Sequence, residues 1–321
     1  MPNRVRIVEV GPRDGLQNEP TILSSEHKVR LIESLVSAGI DAIEATSFVR
    51  ADRVPQLSDG SQVYGSVEKV DGVRYIALAP NMRGLESARD VGVTEVAVFA
   101  AASDEFNRSN VGRGTAGALA MFDDVAREAR SLGMLVRGYV STVLGCPFAG
   151  HVEPADVVDV AKAMDAMGCH EISLGDTIGV GRPHQVAPLI EAVGSVVPVD
   201  RLAVHFHDTY GMGLANSLAA IEAGVRIVDT SIGGLGGCPF AGKGAKGNLA
   251  TEDLVFALAG SPHDTGIDID ALVQINVWLS DVIGRPLPSR AGAALASRPS
   301  TASAASASSA ASASSAQTCD G

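Results

Sequence analysis

Eight short runs rich in β-branched residues punctuate this chain, each followed by a stretch with helical periodicity. They are VRIVEV (5–10), IDAIEAT (40–46), VRYIALA (73–79), TEVAVFA (94–100), LVRGYVS (135–141), HEISLGD (170–176), LAVHFHD (202–208) and RIVDTSI (226–232). Between them lie amphipathic segments such as SSEHKVRLIESLVSAG and HVEPADVVDVAKAMDAMG, with apolar residues three or four apart and a closing glycine. An open doubly wound sheet also alternates strand and helix. Eight similar units within roughly 260 residues instead predict an α/β chain closed into a (β/α)8 TIM barrel. GPRDGLQNE, after the first run, lacks the G-x-G-x-x-G of a dinucleotide-binding turn.

Past the eighth unit, TEDLVFALAGSPHDTGIDIDALVQINVWLSDVIG reads as two or three additional C-terminal helices that cap the barrel or pair with a second subunit. After Pro288 the sequence turns to low-complexity Ser and Ala. Such a segment has no apolar face with which to offset its ordering entropy. The expected organisation is therefore one catalytic unit over 1–288 and a disordered tail over 289–321.

Composition excludes several classes. No apolar run approaches the ~20 residues of a membrane span, and MPNRVRIVEV enters a strand without a signal peptide, so a cytoplasmic protein with no membrane association is expected. The net charge of −12 argues against nucleic acid. An anionic ligand then needs a local basic patch or a metal. Cys146, Cys169, Cys238 and Cys319 show neither CxxC spacing nor a close cluster, and reduced thiols are expected.

The chemistry concentrates at strand ends. If 202–207 is extended, His205 and His207 face the same way and Phe206 the other. Two rim histidines satisfied by backbone carbonyls would be one reading; a metal site is the other, and it requires further donors. In a barrel of this type, the loops at the C-terminal mouth supply them. Strand one leads to Arg13 and Asp14, strand two holds Glu44, strand five carries Arg137, strand six ends in Asp176, and the eighth loop is GGLGGCPFAGKGAKGNLATED. Asp14, His205, His207 and Asn248 make a mixed N/O set suited to Mg²⁺ or Mn²⁺ with positions left for substrate.

VEVGPRDGLQNE, IEATSF, ALAPNMRGLESA, VRGYVSTVLGCPFAG, EISLGDTIGVG, HFHDTYGMGLAN, GGLGGCPF and GNLATEDLV, collinear over residues 4–285, together resemble the 3-hydroxy-3-methylglutaryl-CoA lyases of the metal-dependent TIM-barrel lyase and synthase superfamily. The resemblance implies a CoA-thioester substrate, a divalent cation held by Asp14, His205, His207 and Asn248, and catalytic roles for Arg13 and Cys238. It further implies active-site positions for Glu44, Asp176 and Glu252, and a homodimer. A lyase for a different 3-hydroxy-3-methylacyl-CoA, a carboligase or aldolase sharing the HxH pair, and a non-catalytic metal-binding barrel are the rivals. The last has no need of Arg13 or Cys238.

Overall fold

In the computed structural model, which describes residues 3–237 and 247–298, the eight runs are eight parallel strands. They are β1 (Arg6–Glu9), β2 (Ala42–Ser47), β3 (Arg74–Leu78), β4 (Glu95–Ala101), β5 (Leu135–Ser141), β6 (Glu171–Asp176), β7 (Leu202–Phe206) and β8 (Ile227–Thr230). Each pairs with its sequence neighbour. β1 pairs with β8 in the register Arg6↔Ile227 to Glu9↔Thr230, which closes the barrel.

The surrounding helices are α1 (Ser25–Ser37), α2 (Gly60–Ser66), α3 (Met82–Asp90), α4 (Asp104–Val111), α5 (Thr115–Ser131), α6 (Pro154–Ala166), α7 (Pro183–Gly194) and α8 (Gly213–Glu222). Their starts are written locally: Ser24, Asn81 and Ser103 accept hydrogen bonds from the N–H groups of the first turn, and proline occupies the first turn of α6 and α7. Leu31, Ile43, Phe122 and their neighbours fill the layer between helices and barrel. Each such fully buried side chain contributes about 1.5–3 kcal/mol relative to exposure.

The barrel interior is filled differently. Val8, Val10, Ala42, Ile76, Leu78, Ala97, Tyr139, Ala203 and Ile227 form an inner cluster, and a polar column runs beside it. Arg137, with no exposed surface, donates to Glu171 at 2.5 Å and to Asp229 at 2.7 Å. Arg74 joins Glu95 to Glu171. Buried charges persist only when paired, and here every arginine meets two carboxylates.

Beyond the barrel, α9 (Thr251–Leu258) and α10 (Ile269–Ile283) are the expected additional helices. The expected tail boundary is corrected. Residues 290–296 form a third helix, α11 (Arg290–Ala296), whose N-cap Ser289 holds the Gly292 N–H at 2.9 Å and donates to Asp253 at 2.8 Å. α11 packs on α9 and α10. A capping serine and one buried carboxylate thus order ten residues that composition assigns to the tail. The rest of the tail, with Cys319, lies outside the described residues.

Candidate active site

The turn after β1 is a single π-helical turn, Gly11–Gly15, which lifts Arg13 and Asp14 to the mouth. It fits because two glycines face the neighbouring loop: a Cβ on Gly11 would sit 2.6 Å from Glu9 Oε1, and one on Gly15 2.6 Å from Ser231 Oγ. β7 ends at Phe206, so His205 lies on the strand and His207 just beyond it, in an antiparallel bridge with Asn248. The two imidazoles still converge. Their Nε2 atoms are 3.1 Å apart, and His205 Nε2 is 3.9 Å from Asp14 Oδ2. One ligand atom from each of Asp14, His205 and His207 lies within 4.8 Å of the others. Asn248 completes the ring, its Nδ2 donating to Asp14 Oδ2 at 2.8 Å and to the Leu235 carbonyl at 3.0 Å.

Electrostatics suit this set to a dication. Burial would raise the Asp14 carboxyl, but Arg13, His205, His207 and the Asn248 hydrogen bond outweigh it and hold the group below its ordinary value. Burial, then the neighbouring His205, lowers His207 to about 4, which leaves a neutral imidazole with a free lone pair at neutral pH. His205 Nδ1 faces Asp229 Oδ2 at 3.4 Å. A carboxylate there favours the Nδ1–H tautomer and frees Nε2 as a ligand. Two imidazole nitrogens and a carboxylate oxygen, converging in a buried pocket, fit a divalent cation.

Arg13 is held on both sides, by Asp14 at 2.8 Å and by Glu44 at 2.6 Å. Its Nε, the Tyr139 hydroxyl and Glu44 Oε1 are buried without hydrogen-bond partners among the described residues. The cavity in front of them has a volume of about 830 Å³. Its polar lining includes Arg13, Asp14, Tyr139, His205 and His207, and its apolar lining includes Val49, Leu78, Phe99, Phe106, Val111 and Met121.

Glu44 and Asn248, which touch Arg13 and Asp14, are not among the residues that line this cavity, and neither are Asp176 and Glu252. Asp176, pushed up to about 6 by burial, accepts from the N–H groups of Gly181 at 2.8 Å and Val180 at 3.2 Å. Glu252, pushed up to about 7 by burial, accepts from Gly233 N–H at 2.9 Å and Asn276 Nδ2 at 2.6 Å. Each carboxylate thereby fixes a loop that follows a strand, 179–181 after β6 and Gly233 after β8. Cys238 lies outside the described residues, and Gly237 before it lines the cavity. Sequence reasoning missed Tyr139 and Asp229. Both sit on strands at the inward alternation, two residues after Arg137 and Ile227, and that spacing is the signal that could have found them.

The sequence model of the HMGL-like family matches residues 4–278. The chain belongs to the HMGL-like family. A mitochondrial hydroxymethylglutaryl-CoA lyase of Arabidopsis thaliana is 50% identical over 298 residues, 93% of this chain; the chain spans 64% of that relative's length. The 3-hydroxy-3-isohexenylglutaryl-CoA/hydroxy-methylglutaryl-CoA lyase of Pseudomonas aeruginosa is 48% identical over 93% of this chain and 99% of its own length. Among solved structures, hydroxymethylglutaryl-CoA lyase from P. aeruginosa superposes with a TM-score of 0.90 at 48% identity, covering 93% of this chain and 99% of that one. An Acinetobacter baumannii HMG-CoA lyase in complex with coenzyme A and 3-methylmalate gives 0.87 at 37% identity, covering 93% and 97%. This member of the family has, among its described residues, no helix long and apolar enough to cross a membrane.

Proposed function

We propose that the chain is a carbon–carbon lyase that cleaves 3-hydroxy-3-methylglutaryl-CoA to acetoacetate and acetyl-CoA. The observation that carries the reading is the meeting of an N/N/O ligand set with a doubly held arginine in one cavity. Asp14, His205, His207 and Asn248 would hold the cation, Mg²⁺ or Mn²⁺. That ion, when bound, supplies acidity to the substrate's tertiary hydroxyl and a fixed orientation for it.

The protein's own groups do the rest. As the C2–C3 bond breaks, the hydroxyl proton passes to a base of the site, Asp14 or one of the two histidines, a ketone forms at C3, and the bonding pair passes into the thioester as an enolate. Arg13 is placed to stabilise the charge that develops on oxygen, since its guanidinium is permanently charged and its Nε still lacks a partner among the described residues. The enolate must then gain a proton at carbon. Cys238, on the glycine-rich loop after β8, is the donor we assign, because a thiol is acidic enough to give a proton and basic enough as thiolate to recover one.

The thioester's phosphates fit the same cleft. Its charged lining holds Arg13, Arg50, Arg53 and Arg108 against one carboxylate, Asp14, in a chain of net charge −12. A longer 3-alkyl glutaryl-CoA is a second substrate we keep, supported by the apolar side chains Leu78, Phe99, Phe106 and Met121 in the cavity lining. We take the enzyme as a cytoplasmic homodimer, the pairing supported by exposed Phe256 and Val277 on α9 and α10. Acetoacetate release from purified protein and 3-hydroxy-3-methylglutaryl-CoA, with and without added Mg²⁺ or Mn²⁺ after chelation, tests the reading. Full turnover in a demonstrably metal-free preparation would refute the metal assignment, and no acetoacetate under any condition would refute the activity.

A further inference from the structure

Two loops that must stay in register come from opposite ends of the barrel sequence. One is the Gly11–Gly15 turn that carries Arg13 and Asp14; the other begins at Ile232 and runs to Gly237 at the cavity wall. One buried side chain at the start of both holds the two together. Glu9, the last residue of β1 and wholly buried, accepts with Oε1 from the Gly11 N–H at 2.8 Å and from the Ile232 N–H at 2.8 Å. Its Oε2 accepts from the Thr251 hydroxyl at 2.6 Å, and Thr251 Oγ1 lies 2.8 Å from Thr230 Oγ1 on β8. Val8 and Val10 point into the barrel, so Glu9 points out of it, into the seam where β1 meets β8 and α9 begins.

We infer that Glu9 is a positioning residue that locks the arginine-bearing turn to the loop entering residue 238, so that the two move as one body. A buried carboxylate with no access to water is an expensive way to fill a seam. A Val or Leu would fill it without that cost, but it would leave two N–H groups orphaned, one in each loop. Further ties follow the same path. Asn18 Nδ2 donates to the Gly237 carbonyl at 2.7 Å, and Asn248 joins Leu235 to Asp14. Glu9 sits where both segments leave the barrel, at Gly11 and at Ile232.

The inference rests on the lyase reading, and the test separates the two. Glu9→Asp shortens the side chain by one methylene, so its carboxylate cannot reach both N–H groups. Glu9→Gln keeps Oε1 for both and offers Nε2 to the Thr251 hydroxyl. We expect Glu9→Asp to lower kcat about 100-fold, the scale of a 1 Å misplacement, with KM and Mn²⁺ affinity within about threefold of wild type, and Glu9→Gln to restore kcat. Amide hydrogen exchange should rise together in segments 10–16 and 231–237 of the aspartate variant. Exchange rising in segment 10–16 alone, or a lowered Tm with kcat intact, would overturn the inference. If Glu9→Asp does not fold, Thr251→Val removes only the hydroxyl that orients the carboxylate; it must show the same paired exchange and a lowered kcat, and unchanged kcat would overturn the proposal. A wild-type protein that releases no acetoacetate condemns the lyase reading instead.

Discussion

Asp229 faces His205 Nδ1 at 3.4 Å while its other side is gripped by Arg137 at 2.7 Å, so one imidazole is oriented from below through a buried arginine. Burial alone would raise the Asp229 carboxyl, yet Arg137 and His205 hold it down to about 2. Asp229→Asn keeps the shape and removes the charge that selects the His205 tautomer. It should weaken Mn²⁺ binding about 10- to 100-fold, read by titration calorimetry or electron paramagnetic resonance. Unaltered affinity would show that His205 needs no orienting partner.

Cys238 carries the most specific chemical assignment. Cys238→Ser should lower turnover on the order of 100-fold or more, the range of a lost general acid, with metal affinity within about tenfold. Arg13→Lys should behave similarly, because lysine keeps charge and loses the planar fork. Near-normal turnover in Cys238→Ser, measured beside its thermal melt, would assign the sulfur to packing.

The arginine rim makes a prediction that depends on which part of the substrate is charged. Arg50→Ala with Arg53→Ala should raise KM for the CoA thioester about tenfold, as expected for one lost charge-assisted phosphate contact. The matching pantetheine thioester, which lacks the nucleotide phosphates, should be used equally by both proteins. A KM rise for both substrates would place the two arginines against the acyl or pantetheine portion.

Stability should respond to pH in two opposed directions. Glu95 is held down to about 2 by Arg74 and His170 against the burial that would raise it, below its ordinary 4.5. Its contribution is present above pH 4.5 and lost as pH falls toward 2. Glu252 is raised by burial to about 7, so its contribution is present below pH 4.5 and lost as pH climbs to 7. Each is worth on the order of 3 kcal/mol at most. Thermal melts from pH 2 to 8 should show both slopes, and Glu252→Gln should make the upper one shallower while leaving the acid arm, with Glu9 and Asp176, raised by burial to about 7 and about 6, supplying the remainder. An unchanged upper slope would mean that other groups set it.

The C-terminal helix gives a truncation test. Ending the chain at Pro288 removes three groups bonded to Asp253, which are Ser289 Oγ, Arg290 N and Ala291 N, together with the Arg290–Asp208 pair. The expected loss is about 2 kcal/mol, several degrees in Tm. A chain ending at Arg298 should melt with the full-length protein. Equal melting of both truncations would make α11 an ornament of the surface.

The barrel was legible because each strand writes its own alternation, and Val8, Val10, Ala42 and Ile76 fall inside as that alternation requires. His205 and His207 were legible for the same reason, since two imidazoles at i and i+2 can only converge. Periodicity does not say where a carboxylate at a strand end turns. Asp176 and Glu252 are examples: backbone N–H groups hold both carboxylates, and no spacing in the sequence announces those partners. α11 was hidden because its stability comes from Asp253, 36 positions upstream of Ser289, which no local composition reports.

Asp14 and Asn248, joined at 2.8 Å, are separated by 234 positions. During synthesis the first of them leaves the ribosome long before the last is made, at roughly 5–20 residues per second. For most of that time Arg13, Asp14 and the β1 edge have no β8 to rest on. The centre therefore cannot be complete before Asn248 has been made: the seam where β1 meets β8 and the contact between Asp14 and Asn248 both wait for the last third of the chain.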